Sequence, residues 1–236
     1  MKNNIFLLIT ILLFSPSSYA ELIHHYDFNF DASDLVGGAD GALLNGASVS
    51  EGVLNLDGIN DYVQISSQIV PLSGSYTVAL FAQQLSAQSS FVELISQGTT
   101  GGPGFYLGHD PDRNIRATDS WTNTATAFPA VGVSHHFSLV VDAIGNKSLL
   151  YVDGSLQATL GTAISTISSG SNTRFGRQFG VITEFFHGSL DDIKIYDSAL
   201  TAGDVSSLAN GVSSVPEPAA FWLIGTGLIG FVGRKK

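Results

Sequence analysis

Two adjacent aspartates lie inside the apolar, strand-like segment L-D-D-I-K-I-Y near the end of the chain. Because side chains alternate between the two faces of a strand, Asp191 is predicted to share a face with Ile193 and Ile195. Asp192 is then predicted to lie on the other face, beside Lys194. A carboxylate on an apolar face is costly unless it is paired, hydrogen-bonded or bound to a cation. We therefore treat Asp191 as a candidate cation ligand, with a backbone cap or an ion pair as the alternative.

Other polar clusters have the composition of a sugar site, which needs hydrogen-bonding groups and an aromatic ring. The turn D-G-I-N-D supplies Asp57, Asn60 and Asp61, although most turns of this kind are simple Asx-turns around a glycine. Trp121 lies in the polar stretch T-D-S-W-T-N-T, and Asp110 precedes it. We predict that these five residues contact a ligand. For Trp121 the alternative is a ring that covers its own loop.

The paired histidines do not have the spacing of a metal site. His135 and His136 are neighbours, so in a strand they point to opposite faces and cannot bind one ion together. His24 and His25 meet the same objection. We interpret them as packed or hydrogen-bonded residues of a sheet.

Composition excludes several classes of function. Between residues 21 and 215, six cations face nineteen carboxylates, a formal charge of −13. Nucleic acid is not an expected partner, because phosphate binding needs clustered Lys and Arg. The absence of cysteine excludes disulfides, thiol nucleophiles and Cys-ligated zinc.

Period-two alternation and turn residues predict an all-β chain that must position these groups. Asp153-Gly154 predicts a two-residue hairpin turn in which both residues have positive φ. Thr201 and Asp204 predict a capping box that starts one short C-terminal helix, ending at Asn210-Gly211. The predicted strands are 23–30, 53–57, 61–66, 75–83, 91–97, 104–109, 113–118, 135–142, 147–153, 155–160, 173–176 and 186–196.

Both ends of the chain have the composition of export signals. Lys2, the apolar stretch 5–14 and the small-x-small site S-Y-A predict a signal peptide over 1–20, removed by signal peptidase. At the other end, V-P-E-P precedes an uncharged apolar run and then three cations, which the positive-inside rule keeps in the cytoplasm. This run predicts a membrane helix over 219–233, an anchor in the inner membrane.

The C-terminal arrangement resembles the PEP-CTERM sorting signal. The resemblance rests on Val215, Pro216, Glu217, Pro218, Arg234, Lys235 and Lys236. It implies an exported protein that is held briefly in the membrane, cleaved by an exosortase and passed to the cell surface or extracellular matrix. An ordinary C-terminal membrane anchor is the alternative. Residues 212–236 are thus predicted to be a linker and sorting signal that follows a domain over 21–211.

Four segments of that domain resemble the LamG-like jellyroll group of the concanavalin A-like lectin/glucanase superfamily. They are L-N-L-D-G-I-N-D-Y-V-Q-I (54–65), S-Y-T-V-A-L-F-A (75–82), H-H-F-S-L-V-V-D…L-L-Y-V-D-G-S-L (135–156) and F-H-G-S-L-D-D-I-K-I-Y-D-S-A-L-T (186–201). The resemblance implies a two-sheet antiparallel jellyroll sandwich whose first and last strands are neighbours.

The resemblance also implies ligands. It suggests calcium, structural or ligand-bridging, between the closing strand and the first strand. Asp191 would bind it together with Asp27, Asn29 and Asp31, which alternate with Phe28 and Phe30 in Y-D-F-N-F-D. Calcium takes six to eight oxygen ligands, which these groups and loop carbonyls can supply.

Catalysis is not expected, although the superfamily contains retaining glycosidases with two glutamates on one strand. That mechanism needs carboxyl groups roughly 5–5.5 Å apart. Glu21, Glu51, Glu93 and Glu184 have no second glutamate within reach on their own strand. The sequence therefore predicts a non-catalytic module that binds extracellular polysaccharide. The alternatives are a structural or adhesive matrix protein and, less favoured, a glycoside hydrolase.

Overall fold

The computed structural model describes residues 20–98, 104–118, 123–160, 172–180 and 184–211. These ranges form fifteen strands and one helix. The strands are β1 (Leu22–Tyr26), β2 (Gly41–Leu44), β3 (Ser48–Ser50), β4 (Val53–Asp57), β5 (Tyr62–Ile65), β6 (Tyr76–Gln84), β7 (Val92–Gly98), β8 (Gly104–His109), β9 (Asn114–Thr118), β10 (Asn123–Ala127), β11 (Ser134–Asp142), β12 (Lys147–Val152), β13 (Ser155–Leu160), β14 (Asn172–Phe175) and β15 (His187–Tyr196), and the helix is α1 (Ala202–Ala209).

The strands form two antiparallel sheets that pack face to face. The first sheet has the order β13-β12-β11-β6-β15-β4-β3, with β1 also paired to β15. The second has the order β10-β9-β8-β7-β14-β5-β2. Both contribute alternate apolar side chains to one core, in which Leu80, Phe105 and Phe175 are fully buried. The predicted all-β jellyroll sandwich, with β1 beside β15, is confirmed.

Local signals in the sequence placed several elements correctly. Asp153 and Gly154 both have positive φ, 49° and 74°, and join β12 to β13 as predicted. Thr201 and Asp204 form the predicted capping box of α1. The helix packs Val205 on the outer face of the first sheet. In the described part of the chain no helix is long and apolar enough to span a bilayer; the predicted membrane helix 219–233 lies outside it.

A bulge in β15 overturns the predicted orientation of Asp191. On one side β15 pairs with β4 as far as Leu190 and then with β1 from Ile193, so the two aspartates lie where its neighbour changes. Its register with β6 shifts there, and Asp192 has φ 48°. The extra residue resets the alternation. Leu190 and Ile193 are both in the core, and Asp191 does not share the apolar face of Ile193.

The first strand is shorter than predicted. It ends at Tyr26, because Phe28 has φ 46°, which an extended strand does not allow. Phe28 is fully buried, whereas Phe30 is 93 % exposed. The predicted alternation of Asp27, Asn29 and Asp31 against these two rings is therefore wrong. Strands β2, β3 and β10 were not predicted, since they are short and lack a clear apolar period.

Candidate functional site

A cavity of about 210 Å³ opens at one end of the sandwich, where β4 and β6 end and β15 begins. It lies beside the turn that joins β4 to β5. Its lining includes Ser48, Asn55, Asp57, Asp61, Leu85 and Gly188. This volume is below the roughly 300 Å³ of sites for drug-sized ligands. The cavity therefore has room for one small polar ring.

Asp57 organises the turn at the mouth of this cavity. Its Oδ1 accepts the backbone N–H groups of Ile59 at 2.8 Å, Asn60 at 3.2 Å and Asp61 at 3.3 Å. Gly58, with φ 74°, makes that chain reversal possible. Burial raises the pKa of Asp57, but the backbone donors outweigh it and the net pKa lies below its usual value. Asp57 is therefore ionised, and its Oδ2 accepts no hydrogen bond from the described residues.

Asp61 is the second carboxylate of the cavity, and its surroundings differ. It is 6 % exposed, and its Oδ2 accepts the Asp57 N–H at 3.2 Å. Burial raises the pKa of Asp61 and the charge of Asp57 adds to the rise, against the lowering effect of that hydrogen bond. The side chain lies against Gly46, where a Cβ would be 2.7 Å from Oδ1. The absence of a side chain at position 46 thus leaves the space that this carboxylate occupies.

Asn55 is a cavity residue that the sequence analysis missed. Its Nδ2 donates to the Ser50 hydroxyl at 3.0 Å, which leaves Oδ1 free of donors in the described chain. The signal was present, since Asn55 is the outward residue of β4 just before the D-G turn. The cavity therefore offers acceptor oxygens from three side chains. Acceptors of this kind suit a ligand rich in hydroxyl donors.

The other predicted ligand contacts are not in this cavity. The Asn60 side chain is exposed, and its carbonyl accepts the Asn45 Nδ2 at 2.8 Å. Asp110 is buried in the turn after β8, where it accepts the Asn114 N–H at 2.8 Å. Trp121 lies outside the described residues, as do the sorting-signal residues Val215, Pro216, Glu217, Pro218, Arg234, Lys235 and Lys236.

The predicted calcium ligands come together in part. Burial raises the pKa of Asp191 to about 6, and the nearby charges of Asp192 and Asp27 contribute to that rise. Asn29 donates from Nδ2 to Asp27 at 2.6 Å, whereas Asp31 accepts the Ser33 N–H at 2.8 Å in its own turn. Within the described ranges no three Asp, Glu or His side chains have the arrangement of a metal site. Calcium at Asp191 stays a prediction.

Asp192 has protein partners instead. It accepts a hydrogen bond from Lys194 Nζ at 2.6 Å, and His25 Nε2 lies 2.7 Å from its other oxygen. These partners outweigh burial and lower the pKa of Asp192. The ion pair thus falls on Asp192, whereas Asp191 has the backbone contact that was its alternative, since its Oδ1 accepts the Asp192 N–H at 2.7 Å.

A buried ionic cluster, Glu93, Arg116 and Glu184, was also missed. Glu184 lies in the segment before β15 and meets both Glu93 of β7 and Arg116 of β9, so spacing along one strand gave no sign of the cluster. The Arg116 Nη2 contacts both carboxylates, at 3.1 Å for Glu184. None of the three is more than 3 % exposed. Burial raises the pKa of Glu93 well above its usual range, against the lowering charge of Arg116.

The sandwich and the C-terminal segment can be compared with known proteins. Residues 57–206 match the family described as the concanavalin A-like lectin/glucanases superfamily. The chain belongs to this superfamily. Residues 214–236 match the PEP-CTERM protein-sorting motif, which marks an exported protein sorted to the cell surface and processed by an exosortase. A search of curated proteins found no match.

Several solved structures share this fold. Domain 4 of the extracellular arabinanase AbnA from Geobacillus stearothermophilus, solved with arabinotriose, is 20 % identical with a TM-score of 0.68; the match covers 81 % of this chain and all of that one. The Trypanosoma rangeli sialidase with 2,3-difluorosialic acid is 15 % identical with a TM-score of 0.62, over 80 % of this chain and 32 % of the sialidase. The binding domain of Paraclostridial Mosquitocidal Protein 1 is 15 % identical with a TM-score of 0.60, over 80 % and 52 %. This member of the superfamily therefore spans about a third to a half of the last two chains.

Proposed function

We propose that the protein is an exported, non-catalytic carbohydrate-binding module that attaches to extracellular polysaccharide at the cell surface. The observation that carries the proposal is the cavity between β4, β6 and β15, where Asn55, Asp57 and Asp61 present acceptor oxygens. Sugar hydroxyls are donors, and a charged acceptor makes a hydrogen bond roughly twice as strong as a neutral one. The volume of about 210 Å³ suits one sugar unit within a longer chain.

The comparisons support the fold and the extracellular location that this proposal requires. The domain of the Geobacillus arabinanase that shares the fold was solved with a bound arabinose oligosaccharide. The PEP-CTERM motif marks an exported protein sorted to the cell surface, which is where an extracellular polysaccharide would be bound. On this proposal the apolar tail holds the protein briefly in the inner membrane until the exosortase cleaves it.

The arrangement of the glutamates supports a role without catalysis. Glu93 and Glu184 are brought together, but their carboxyl groups interact directly with one another and with Arg116, and all three residues are buried. A retaining glycosidase needs two carboxyl groups that flank a sugar bond, with room for the substrate between them. In this cluster the two carboxyl groups and the Arg116 cation are in contact with one another and buried, which leaves no room for a substrate between them.

An adhesive matrix protein without sugar specificity is the second candidate. It is favoured by Ile59 and Leu85, which border the cavity and are 72 % and 54 % exposed. Exposed aliphatic side chains favour contact with an apolar protein surface rather than with a sugar. A binding experiment separates the two candidates.

The test is a glycan and polysaccharide array probed with the mature chain from Glu21, kept in detergent, with calcium and again with a chelator. Asp57→Asn removes the charge but keeps a side chain that supports an Asx-turn. We expect it to weaken sugar binding about tenfold, from the loss of one charged hydrogen bond of about 1.5 kcal/mol.

Asp142→Asn is the matched control. It also removes a carboxylate that accepts a backbone N–H, from Gly145 at 2.8 Å, but in the turn between β11 and β12. Equal binding by both variants would contradict the assignment of the cavity. No binding to any glycan would favour the matrix protein. Loss of binding with chelator would place calcium at the site, whereas binding in both conditions would limit calcium to a structural role.

A further inference from the structure

Two arginines form a pair on the outer face of the second sheet. Arg174 belongs to β14, and Arg177 follows that strand by two residues. The Arg177 guanidinium lies 4.8 Å from the centre of the Tyr62 ring and 5.2 Å from that of Phe185. The Arg174 guanidinium lies 5.5 Å from the Tyr62 ring. The aromatic rings hold both cations in a fixed position by cation–π contact.

The pair has no carboxylate partner among the described residues. Arg174 uses one terminal nitrogen, Nη1, to donate to the carbonyls of Gln178, Phe179 and Gly180 at 3.0, 2.8 and 3.0 Å. The Arg177 side chain makes no hydrogen bond within the same ranges, and the buried Nε of each arginine has no partner there. Nineteen carboxylates lie between residues 21 and 215, so the lack of an ion pair at two adjacent cations is unexpected.

The other cations of the domain show what is usual in this chain. Of the four, Arg116, Lys147 and Lys194 each lie within 4.0 Å of a carboxylate, whereas Arg113 donates to the Pro129 carbonyl and has no ion pair among the described residues. Burial lowers the pKa of Arg174, and the charge of Arg177 lowers it further. Two cations therefore repel one another on this face, and a bound anion would relieve that repulsion.

We infer that the arginine pair binds the oxyanion of an acidic sugar, so that the polysaccharide recognised by this module carries carboxylate or sulfate groups. A guanidinium group presents donors in a planar fork that matches such oxyanions, and stacking on aromatic rings orients it. The inference rests on the proposed function and names the class of polysaccharide. The cavity would bind the hydroxyl groups of the polysaccharide, whereas the arginine pair would bind its anionic groups.

The net charge of the domain opposes the binding of any anionic polymer. A domain with a formal charge of −13 repels an anionic polymer over most of its surface. Binding of such a polymer would therefore depend strongly on the few cations that lack an internal partner. General attraction to a basic surface, which explains anion binding by many proteins, has no basis in this chain.

The test measures binding of the mature chain, in detergent, to polygalacturonate, dextran sulfate and neutral dextran by affinity electrophoresis. We expect Arg177→Gln to weaken retention by the acidic polymer at least tenfold. Arg177→Lys keeps the charge but not the planar fork of donors, and we expect it to weaken retention about half as much as Arg177→Gln does, on a logarithmic scale. Lys147→Gln removes a cation that is paired with Asp142, at 3.7 Å, and is the matched control, with less than a twofold change. Thermal unfolding checks that each variant is folded.

The outcomes separate the two proposals. Arg177-dependent retention by polygalacturonate supports a carboxylated ligand, and the same result with dextran sulfate supports a sulfated one. Equal retention of the wild-type chain by neutral dextran and both acidic polymers, or no effect of Arg177→Gln, overturns the inference. If neutral glycans still bind in an Asp57-dependent way, the proposed function survives that result. If no glycan binds, neutral or acidic, both proposals fail.

Discussion

Arg116→Met removes the cation from the buried ionic cluster and leaves two carboxyl groups without it. Glu93 is 0 % exposed and Glu184 is 3 % exposed, so water cannot solvate them in place of the arginine. Removal of one partner from a buried ion pair costs about 3–5 kcal/mol. A domain of this kind has a total stability of about 5–15 kcal/mol. We therefore expect the urea midpoint of the variant to fall by a large fraction, or the chain to be only partly folded at pH 7.

The loss of stability in Arg116→Met should be larger at high pH than at low pH. The pKa of Glu93 is already raised by burial, and it rises further when Arg116 is absent. A carboxyl group whose pKa is higher in the folded than in the unfolded state favours folding below its unfolded pKa, and that contribution is lost as pH rises through the folded pKa. The stability gap between wild type and Arg116→Met should thus be smaller at pH 5 than at pH 8.

The assay is urea unfolding followed by circular dichroism at both pH values, with linear extrapolation. The triple variant with Met at 116 and Gln at positions 93 and 184 removes the charges together, and it should recover more than half of the loss. Arg113→Met is the control, since that arginine donates to the Pro129 carbonyl at 2.9 Å and has no ion pair among the described residues. We expect it to cost about 1–2 kcal/mol. A cost below 1 kcal/mol for Arg116→Met at both pH values would refute the reasoning.

Three further predictions concern stability. Burial raises the pKa of Asp191 to about 6, so the stability that its protonated form contributes is lost as pH rises through 6. Without calcium, Asp191→Asn should therefore stabilise the fold by about 1 kcal/mol at pH 7.5, after allowance for solvent screening, and by little at pH 4.5. If calcium binds there, saturating calcium should reverse the sign of this difference in thermal melts. Burial lowers the pKa of His136 to about 4, so stability should fall as pH drops from about 6.5 to 4, and His136→Phe should flatten that part of an acid titration followed by circular dichroism. Gly108→Ala should prevent folding, because its Cβ would lie 1.9 Å from the Val92 carbonyl oxygen. Gly203→Ala in α1 is the comparison: its Cβ would have no heavy atom closer than 3.7 Å, and the change should raise the free energy of unfolding by about 0.5–1 kcal/mol.

Short-range signals made the framework predictable from sequence. The Asp153-Gly154 turn and the capping box of α1 depend on residues within four positions of one another, so their chemistry is visible in the chain. The turn from Asp57 to Asp61 also appears as predicted, and it borders the cavity. The sequence therefore predicted two of the three acceptor residues of the candidate site.

Long-range pairing explains what was missed. The bulge at Asp192 exists because β15 changes its neighbour from β4 to β1 there, and no local pattern encodes that change. Glu93 and Glu184 meet only because β7 and the segment before β15 lie side by side, with a backbone hydrogen bond of 3.3 Å from the Glu93 N–H to the Glu184 carbonyl. The arginine pair likewise depends on the arrangement of β14 beside β5.

The pairing of β1 with the end of β15 has a mechanical consequence. Leu22 pairs with Tyr196, and the Glu21 N–H donates to Asp197 at 2.9 Å, so both strands leave the sheet at the same end of their ladder. A force that pulls the two ends of the domain apart would detach α1 and then break the hydrogen bonds between β1 and β15 one at a time. A load that enters through a bound polymer at the cavity and leaves through one terminus would not open the ladder in this way. If the proposed polymer binding is correct, the strand pairing would therefore resist tension better when the domain is held at one terminus and at the cavity than when it is held at both termini.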